Sequence, residues 1–384
     1  MTDSFETHDI FEDKREPEMV PPDSRNEKPE IADFSQKGYL YLKENQLGTA
    51  EECFKKILDI EPDNNYALVG MGDAARKRAD FETAIRYYNL CLEHHPGNNY
   101  ALFGLADCYK AFKNYPKAIE IWEHYLRHDD KNVTVLTRIA DAYRKVRNLH
   151  KSRTIYQQVL AMEEDNPYAL IGLGHLHYDF REYEKALFYW ERMIGAHSLD
   201  QIDIRVLTSV GNCHRKLKNF ARGIEVFSKA LEIVPDNFYA LFGMADCYRG
   251  MNMHEKALEY WNRILVPDPE NKVILTRAGE ECRAMGRFDE AQKLYEKALN
   301  IEYDAYAVMG LALINKERGK YAEALGSLEA LLQTNFKNAR LYSEIADCYA
   351  KLGDMKKAEE FLVSVQRPGM RKSAAAGRFR RNPR

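Results

Sequence analysis

The chain has 384 residues, 45% apolar and 30% charged, a balance that fits folded structure and leaves room for two or three domains or one repeat array. No window approaches the roughly 18 apolar residues of a membrane-spanning helix, which argues against an integral membrane protein, and the start Met1-Thr2-Asp3-Ser4-Phe5-Glu6 shows no secretory signal. The net charge of −3 conceals opposed ends: residues 1–30 carry −6, residues 367–384 carry +7 and the body between carries −4, so only the tail is electropositive enough for nucleic acid.

Residues 1–30 combine Pro17, Pro21, Pro22 and Pro29 with many charges. They have too little apolar surface to offset the entropy of ordering, so they are expected to be a disordered acidic segment. From residue 31 the sequence repeats. Gly38, Gly72, Ala106, Ala140 and Gly174 are 34 residues apart, and Gly211, Ala245, Gly279, Ala312 and Ala346 continue the series with one step of 37 and one of 33. A second small-residue series follows 12 positions behind, from Ala50 to Ala358. A third is large: Phe54, Tyr88, Trp122, Tyr156, Trp190, Phe227, Trp261, Tyr295, Leu328 and Leu362.

Within a unit the spacing is helical. Leu102, Leu105, Ala106 and Tyr109 share one face, as do Tyr115, Ala118, Trp122 and Tyr125, so each unit reads as a helix–turn–helix pair. Asn64, Asn98, Asn132, Asn166, Asn237 and Asn271 stand where a side chain caps the next first helix, an effect of about 1 kcal/mol. Pro62, Pro96, Pro235 and Pro269 stop the helix before it.

This pattern resembles the tetratricopeptide repeat (TPR) family over about 340 residues, on the period and on the small, small, aromatic and proline positions. The departures are leucine in place of the first-helix tryptophan (Leu68, Leu102, Leu136, Leu170, Leu207, Leu241, Leu275) and missing prolines in several units. The resemblance implies an all-α, right-handed superhelical solenoid with first helices lining a concave face. The expected organisation is residues 1–30, a solenoid over 31–366 and a basic disordered tail over 367–384. The repeats fall near 31–64, 65–98, 99–132, 133–166, 167–200, 204–237, 238–271, 272–304, 305–338 and 339–366. Three extra residues, Gln201 to Asp203, suggest a joint between the fifth and sixth.

A two-repeat period overlies the first. The three tryptophans occupy alternate units, and Tyr66, Tyr100, Tyr168, Tyr239 and Tyr306 open others, each with a glycine four residues later (Gly70, Gly104, Gly172, Gly243, Gly310). Family geometry turns these tyrosines to the groove, together with residues three, seven and ten later. The partner-binding candidates are therefore Tyr66, Tyr100, Phe103, Asp107, Thr137, Arg138, Tyr168, Ile171, Thr208, Tyr239, Phe242, Asp246, Thr276, Arg277 and Tyr306. Large aromatics suit binding hot spots, and the glycine is expected to open a slot beside the ring. Packing against the preceding unit is the competing reading for the tyrosines. For the Asp/Arg pairs it is solvated i,i+3 ion pairing. The tryptophans are expected in the core.

Chaperone-tail clamping in the family uses lysine and asparagine on the groove face. Asn212 fills one such position, but Thr208 replaces the lysine, which disfavours that activity. No phosphate-binding loop, dinucleotide fingerprint or His-Glu-x-x-His occurs, and His175 and His177 point apart on a helix. Seven scattered cysteines, four at one slot (Cys108, Cys213, Cys247, Cys348), read as reduced structural thiols in a cytoplasmic protein. No catalysis, cofactor or metal is expected. The expected function is a scaffold or adaptor binding a protein segment in the groove. The alternative is a nucleic-acid-associated recruitment factor whose tail (Arg371, Lys372, Arg378, Arg380, Arg381) contacts anionic ligands with salt-sensitive affinity.

Overall fold

The computed structural model describes residues 28–196, 204–334 and 338–365, and the chain divides between residues 198 and 199 into two compact units. Every element among the described residues is an α-helix. The first unit holds five hairpins: α1 (Pro29–Lys43) with α2 (Leu47–Ile60), α3 (Asn65–Lys77) with α4 (Phe81–His94), α5 (Asn99–Ala111) with α6 (Tyr115–Tyr125), α7 (Val133–Lys145) with α8 (Leu149–Met162), and α9 (Pro167–Asp179) with α10 (Tyr183–Ala196). The second unit repeats the plan: α11 (Ile204–Lys216) with α12 (Phe220–Ile233), α13 (Phe238–Gly250) with α14 (His254–Leu265), α15 (Lys272–Ala284) with α16 (Phe288–Ile301), α17 (Ala305–Glu317) with α18 (Tyr321–Leu332), and α19 (Ala339–Lys351) with α20 (Met355–Val365). The expected joint, the acidic segment before Lys28 and the basic tail lie outside the described residues.

The hairpin turn is the same in all ten units. Its central residue has positive φ: Asn45, Ala79, Lys113, Arg147, Arg181, Lys218, Asn252, Gly286, Gly319 and Gly353. In each, the following N–H reaches back five residues, as in Asp80 N to Ala75 O at 2.9 Å, while the Ala79 N–H bonds Arg76 O at 2.9 Å. That pair of bonds closes the first helix in a Schellman motif. In four hairpins the residue after the turn also caps the second helix through its side chain: Asp80 accepts from Thr83 N (3.2 Å), Asn114 from Lys117 N (3.4 Å), Asn148 from Lys151 N (3.3 Å) and Asp354 from Lys357 N (3.1 Å). The six asparagines anticipated as first-helix caps each accept a backbone N–H, at 2.9–3.2 Å.

The large third-series residue is the structural pin. Trp122, Trp190, Trp261, Tyr88, Tyr295, Phe54 and Phe227 are completely buried. The Phe54, Tyr88, Phe227 and Tyr295 rings fit because glycines remove side chains around them. A Cβ on Gly72 would lie 2.6 Å from the Tyr88 ring, and one on Gly104, in the next hairpin, 2.3 Å from it. Phe54 is clamped in the same way by Gly38 and Gly70, Phe227 by Gly211 and Gly243, and Tyr295 by Gly279 and Gly310. This corrects one expectation. The glycine four residues after each groove tyrosine opens no slot beside that tyrosine; its space is filled by the pin of the preceding hairpin. The two-repeat period follows, because Arg138 and Arg277 stand at the glycine position after Trp122 and Trp261.

First helices of neighbouring hairpins approach one another, α1 with α3, α3 with α5 and α7 with α9 in the first unit, and α11 with α13 and α15 with α17 in the second. Among the described helices no pair of second helices does so to the same degree, so within each unit the first helices line the inner side.

Candidate partner-binding face

Two kinds of side chain make the inner face. The first is the row of helix-opening tyrosines. Tyr239 is 42% exposed, and Tyr66, Tyr100, Tyr168 and Tyr306 are half-buried. The residues three positions on point into the array: Phe103, Ile171 and Phe242 are buried, as are Thr137, Thr208 and Thr276. The threonine hydroxyls are occupied, Thr137 by Thr134 O (2.9 Å), Thr208 by Arg205 O (2.9 Å) and Thr276 by the Asp304 carboxylate (3.2 Å). An arginine from the next hairpin covers each phenylalanine. Arg138 lies 4.6 Å from the Phe103 ring centroid, and Arg277 lies 5.1 Å from that of Phe242. The aliphatic and aromatic patches expected there are thus sealed, and the tyrosines are the more exposed of the two rows.

The second kind is a ladder of carboxylates and guanidiniums that crosses between hairpins. Asp107 receives Arg138 at 2.5 Å from the following hairpin and Arg76 at 4.0 Å from the preceding one. Asp246 receives Arg215 at 2.6 Å, Arg249 at 2.9 Å and Arg277 at 3.3 Å, from three successive first helices. Arg144 joins Asp141 to Asp179, and Lys316 joins Glu344 to Asp347. Burial by itself would raise the Asp246 pKa, but Arg249, Arg277 and Arg215 outweigh it and hold the carboxyl well below the usual carboxylate range. The same balance lowers Asp141 beside Arg144. These are not the solvated i,i+3 pairs of the simpler reading: Arg138, Arg144 and Asp246 are buried, and they tie hairpins together. Tyrosine pins feed the ladder from below. The Tyr88 hydroxyl donates to Asp73 at 2.6 Å and accepts from Arg76 Nε at 3.2 Å.

Sequence reasoning missed these cross-hairpin bonds, although the signal was present as a recurring separation of 31 residues between Asp and Arg (Asp107 to Arg138, Arg215 to Asp246, Asp246 to Arg277). It also missed Glu281, a carboxylate only 1% exposed that accepts from His254 Nδ1 at 2.7 Å. Burial raises its pKa despite that bond. Asn212 is engaged by Arg215 Nε at 3.2 Å. His175 packs edge-on against Trp190, and His177 meets Glu182 at 2.6 Å. All seven cysteines are buried, and burial pushes the Cys108 and Cys247 thiols up to about 12. Among the described residues, no cluster of three or more His, Cys, Asp or Glu is arranged to hold a metal, and no helix is long and apolar enough to cross a membrane.

Models of one family match along the chain, all described as tetratricopeptide repeat: residues 75–137 and 316–376, 137–198 and 277–335, 34–64 and 204–237, and 239–266. The chain belongs to the tetratricopeptide repeat family. No curated protein matches it. Among solved structures it is similar to one described under the functional characterisation of Pseudomonas aeruginosa PilF, with 14% identity, 55% of this chain and 95% of that chain covered, and a TM-score of 0.48. YrrB, described as a TPR protein with an unusual peptide-binding site, shows 18% identity over 49% of this chain and 95% of that chain, with a TM-score of 0.44. MamA shows 23% identity over 44% of this chain and 92% of that chain, with a TM-score of 0.40.

Proposed function

We propose that this TPR protein is a non-enzymatic scaffold or adaptor that holds an extended segment of a partner protein against its first-helix faces. The observation that carries the reading is the tyrosine row. Tyr66, Tyr100 and Tyr168 recur at one slot in the first unit, and Tyr239 and Tyr306 at the same slot in the second. Each sits in the first turn of a first helix, and first helices also carry the Asp–Arg ladder. Tyrosine offers a large amphipathic anchor, and a pre-organised surface loses little entropy when a ligand arrives. The ladder contributes alternating sign at fixed spacing, which favours a segment with polar groups in matching register. Phe103, Ile171, Phe242, Thr137, Thr208, Thr276, Arg138 and Arg277 would then act beneath the surface, by holding the tyrosine-bearing helices in position.

The test is affinity capture with wild type and a Tyr100→Ala, Tyr168→Ala, Tyr239→Ala variant, with mass spectrometry of what is retained. Loss of a specific protein by tenfold or more, with unchanged helicity, supports the reading. Equal recovery of every partner by both proteins rejects it. The buried phenylalanines are left intact so that the fold is not the variable.

A further inference from the structure

The carboxylate row is interrupted inside the second unit. From the second hairpin to the tenth, the slot of Asp107 and Asp246 is polar or charged in every hairpin but the ninth, which has the buried Leu313. The arginine one hairpin earlier then lacks its acceptor. Arg76 meets Asp107 at 4.0 Å and Arg215 meets Asp246 at 2.6 Å, whereas Arg283, at the same position, bonds Glu317 one turn beyond Leu313 through Nη1 at 2.6 Å. A buried hydroxyl lies under the same gap. The pin Tyr88 is served by Asp73 and Arg76 of its own hairpin. At Tyr295 those two positions hold Glu280 and Arg283, and Glu280 lies 3.9 Å from Arg249 of the preceding hairpin. Tyr295 is completely buried. Its hydroxyl and the Arg283 guanidinium interact electrostatically, yet among the described residues neither Tyr295 Oη nor Arg283 Nε completes a directional hydrogen bond. Buried polar groups in folded proteins are otherwise almost always satisfied, because an unmet one is costly.

Both groups line one recess on the first-helix side, together with Glu280, Tyr306, Leu313 and Arg340. The recess offers about 10 Å³ for an entering atom, room for a single oxygen. Arg340 is the second residue of α19, as Tyr306 is of α17, so the row of helix-opening tyrosines ends here in a cation. Arg340 Nε donates to Glu344 at 3.4 Å, and Glu317 holds Arg283 by Nη1. These internal carboxylates each take one edge of a guanidinium, which has five N–H donors in all. What no protein group supplies at the centre of the recess is an acceptor oxygen. A carboxylate suits it better than a neutral amide. Two guanidiniums line the recess against the single carboxylate of Glu280, and hydrogen bonds between charged partners are about twice as strong as neutral ones.

We propose that this recess takes the side-chain carboxylate of an aspartate or glutamate in the partner segment, in place of the ladder aspartate that Leu313 replaces. The inference rests on the groove-binding reading above and adds to it one acidic residue at a fixed point of the segment, beside Tyr306. Short random peptides displayed on phage are selected against the full chain, then measured by fluorescence anisotropy in the acid form and with Asn or Gln in its place. The acid form is expected to bind about tenfold more tightly. Tyr295→Phe and Arg340→Gln should each weaken the acid form about tenfold and leave the amide form nearly unchanged, which a double-mutant cycle reads as coupling. Tyr295→Phe should also leave the melting temperature of the free chain unchanged or raise it, whereas Tyr88→Phe, which removes the bond to Asp73, lowers it. Selected peptides that need no acidic residue, yet lose binding to a Tyr239→Ala, Tyr306→Ala variant, overturn the acidic recess and leave the groove reading intact. Peptides indifferent to both tyrosines overturn the groove reading and this inference with it. Destabilisation by Tyr295→Phe as large as that by Tyr88→Phe means that water or Arg283 already satisfies the hydroxyl in the free chain, and it overturns the proposal.

Discussion

Replacing Gly243 by alanine tests the clamp that defines the repeat. The added Cβ would stand 2.1 Å from Cζ of Phe227 and 2.4 Å from its Cε2, where carbon atoms rest at about 3.5–4.0 Å. The ring has no retreat, since a Cβ on Gly211, across from it, would lie 2.6 Å away. Overpacking of this kind costs about 1–3 kcal/mol, with this geometry at the upper end. Alanine offsets about 1 kcal/mol of that through its better helix propensity. Gly243→Ala should therefore destabilise the second unit by about 2 kcal/mol. Gly326→Ala is the control: it lies inside α18 with nothing within 4 Å of its added Cβ, and it should stabilise by about 0.5–1 kcal/mol. Urea unfolding followed by circular dichroism measures both, with amide exchange in α12 and α13 to localise the loss, because repeat arrays need not unfold as one. In a Phe227→Leu background the penalty of Gly243→Ala should shrink, which a double-mutant cycle reads as coupling. If Gly243→Ala stabilises as Gly326→Ala does, the clamp does not set the hairpin spacing.

Further expectations concern charge, turns and thiols. Asp246→Asn leaves Arg215, Arg249 and Arg277 without their shared carboxylate and should cost about 3–5 kcal/mol by urea titration. Because the folded pKa of Asp246 is depressed below its ordinary 3.8, its contribution is present above about pH 4 and is lost as pH falls below that. Glu281 has the opposite sign: its folded pKa is raised above 4.5, so ionisation opposes folding at neutral pH. Glu281→Gln, which keeps an acceptor for His254, should stabilise at pH 7, a gain that fades toward pH 4 in thermal melts. Gly319→Ala, at φ 78°, should cost about 1–2 kcal/mol, since an L side chain there meets the backbone. The cysteines should resist a thiol reagent at pH 8 in the folded chain and react on unfolding; rapid labelling of Cys108 or Cys247 would contradict their burial.

The local physics of the hairpin was legible in the residues themselves. The 34-residue spacing, the small and large series and the capping asparagines each express a constraint that acts within one or two helical turns or between adjacent helices. They therefore leave a period that can be read along the chain, and the tryptophan core and the asparagine caps follow from it. What only the tertiary structure decided depends on which hairpin's atoms fill a given space. Gly104 looked like an opening beside Tyr100 and is the seat of Tyr88; Phe103 and Phe242 looked like exposed anchors and lie under arginines from the next repeat. The Asp–Arg ladder spans hairpins, so its cross-hairpin bonds join residues about one repeat apart, and a helix-face pattern sees only the nearer i,i+3 partner. Periodicity specifies the unit because a helix buries its own stripe. The binding face emerges only when neighbouring units compete for the same volume and the same charges.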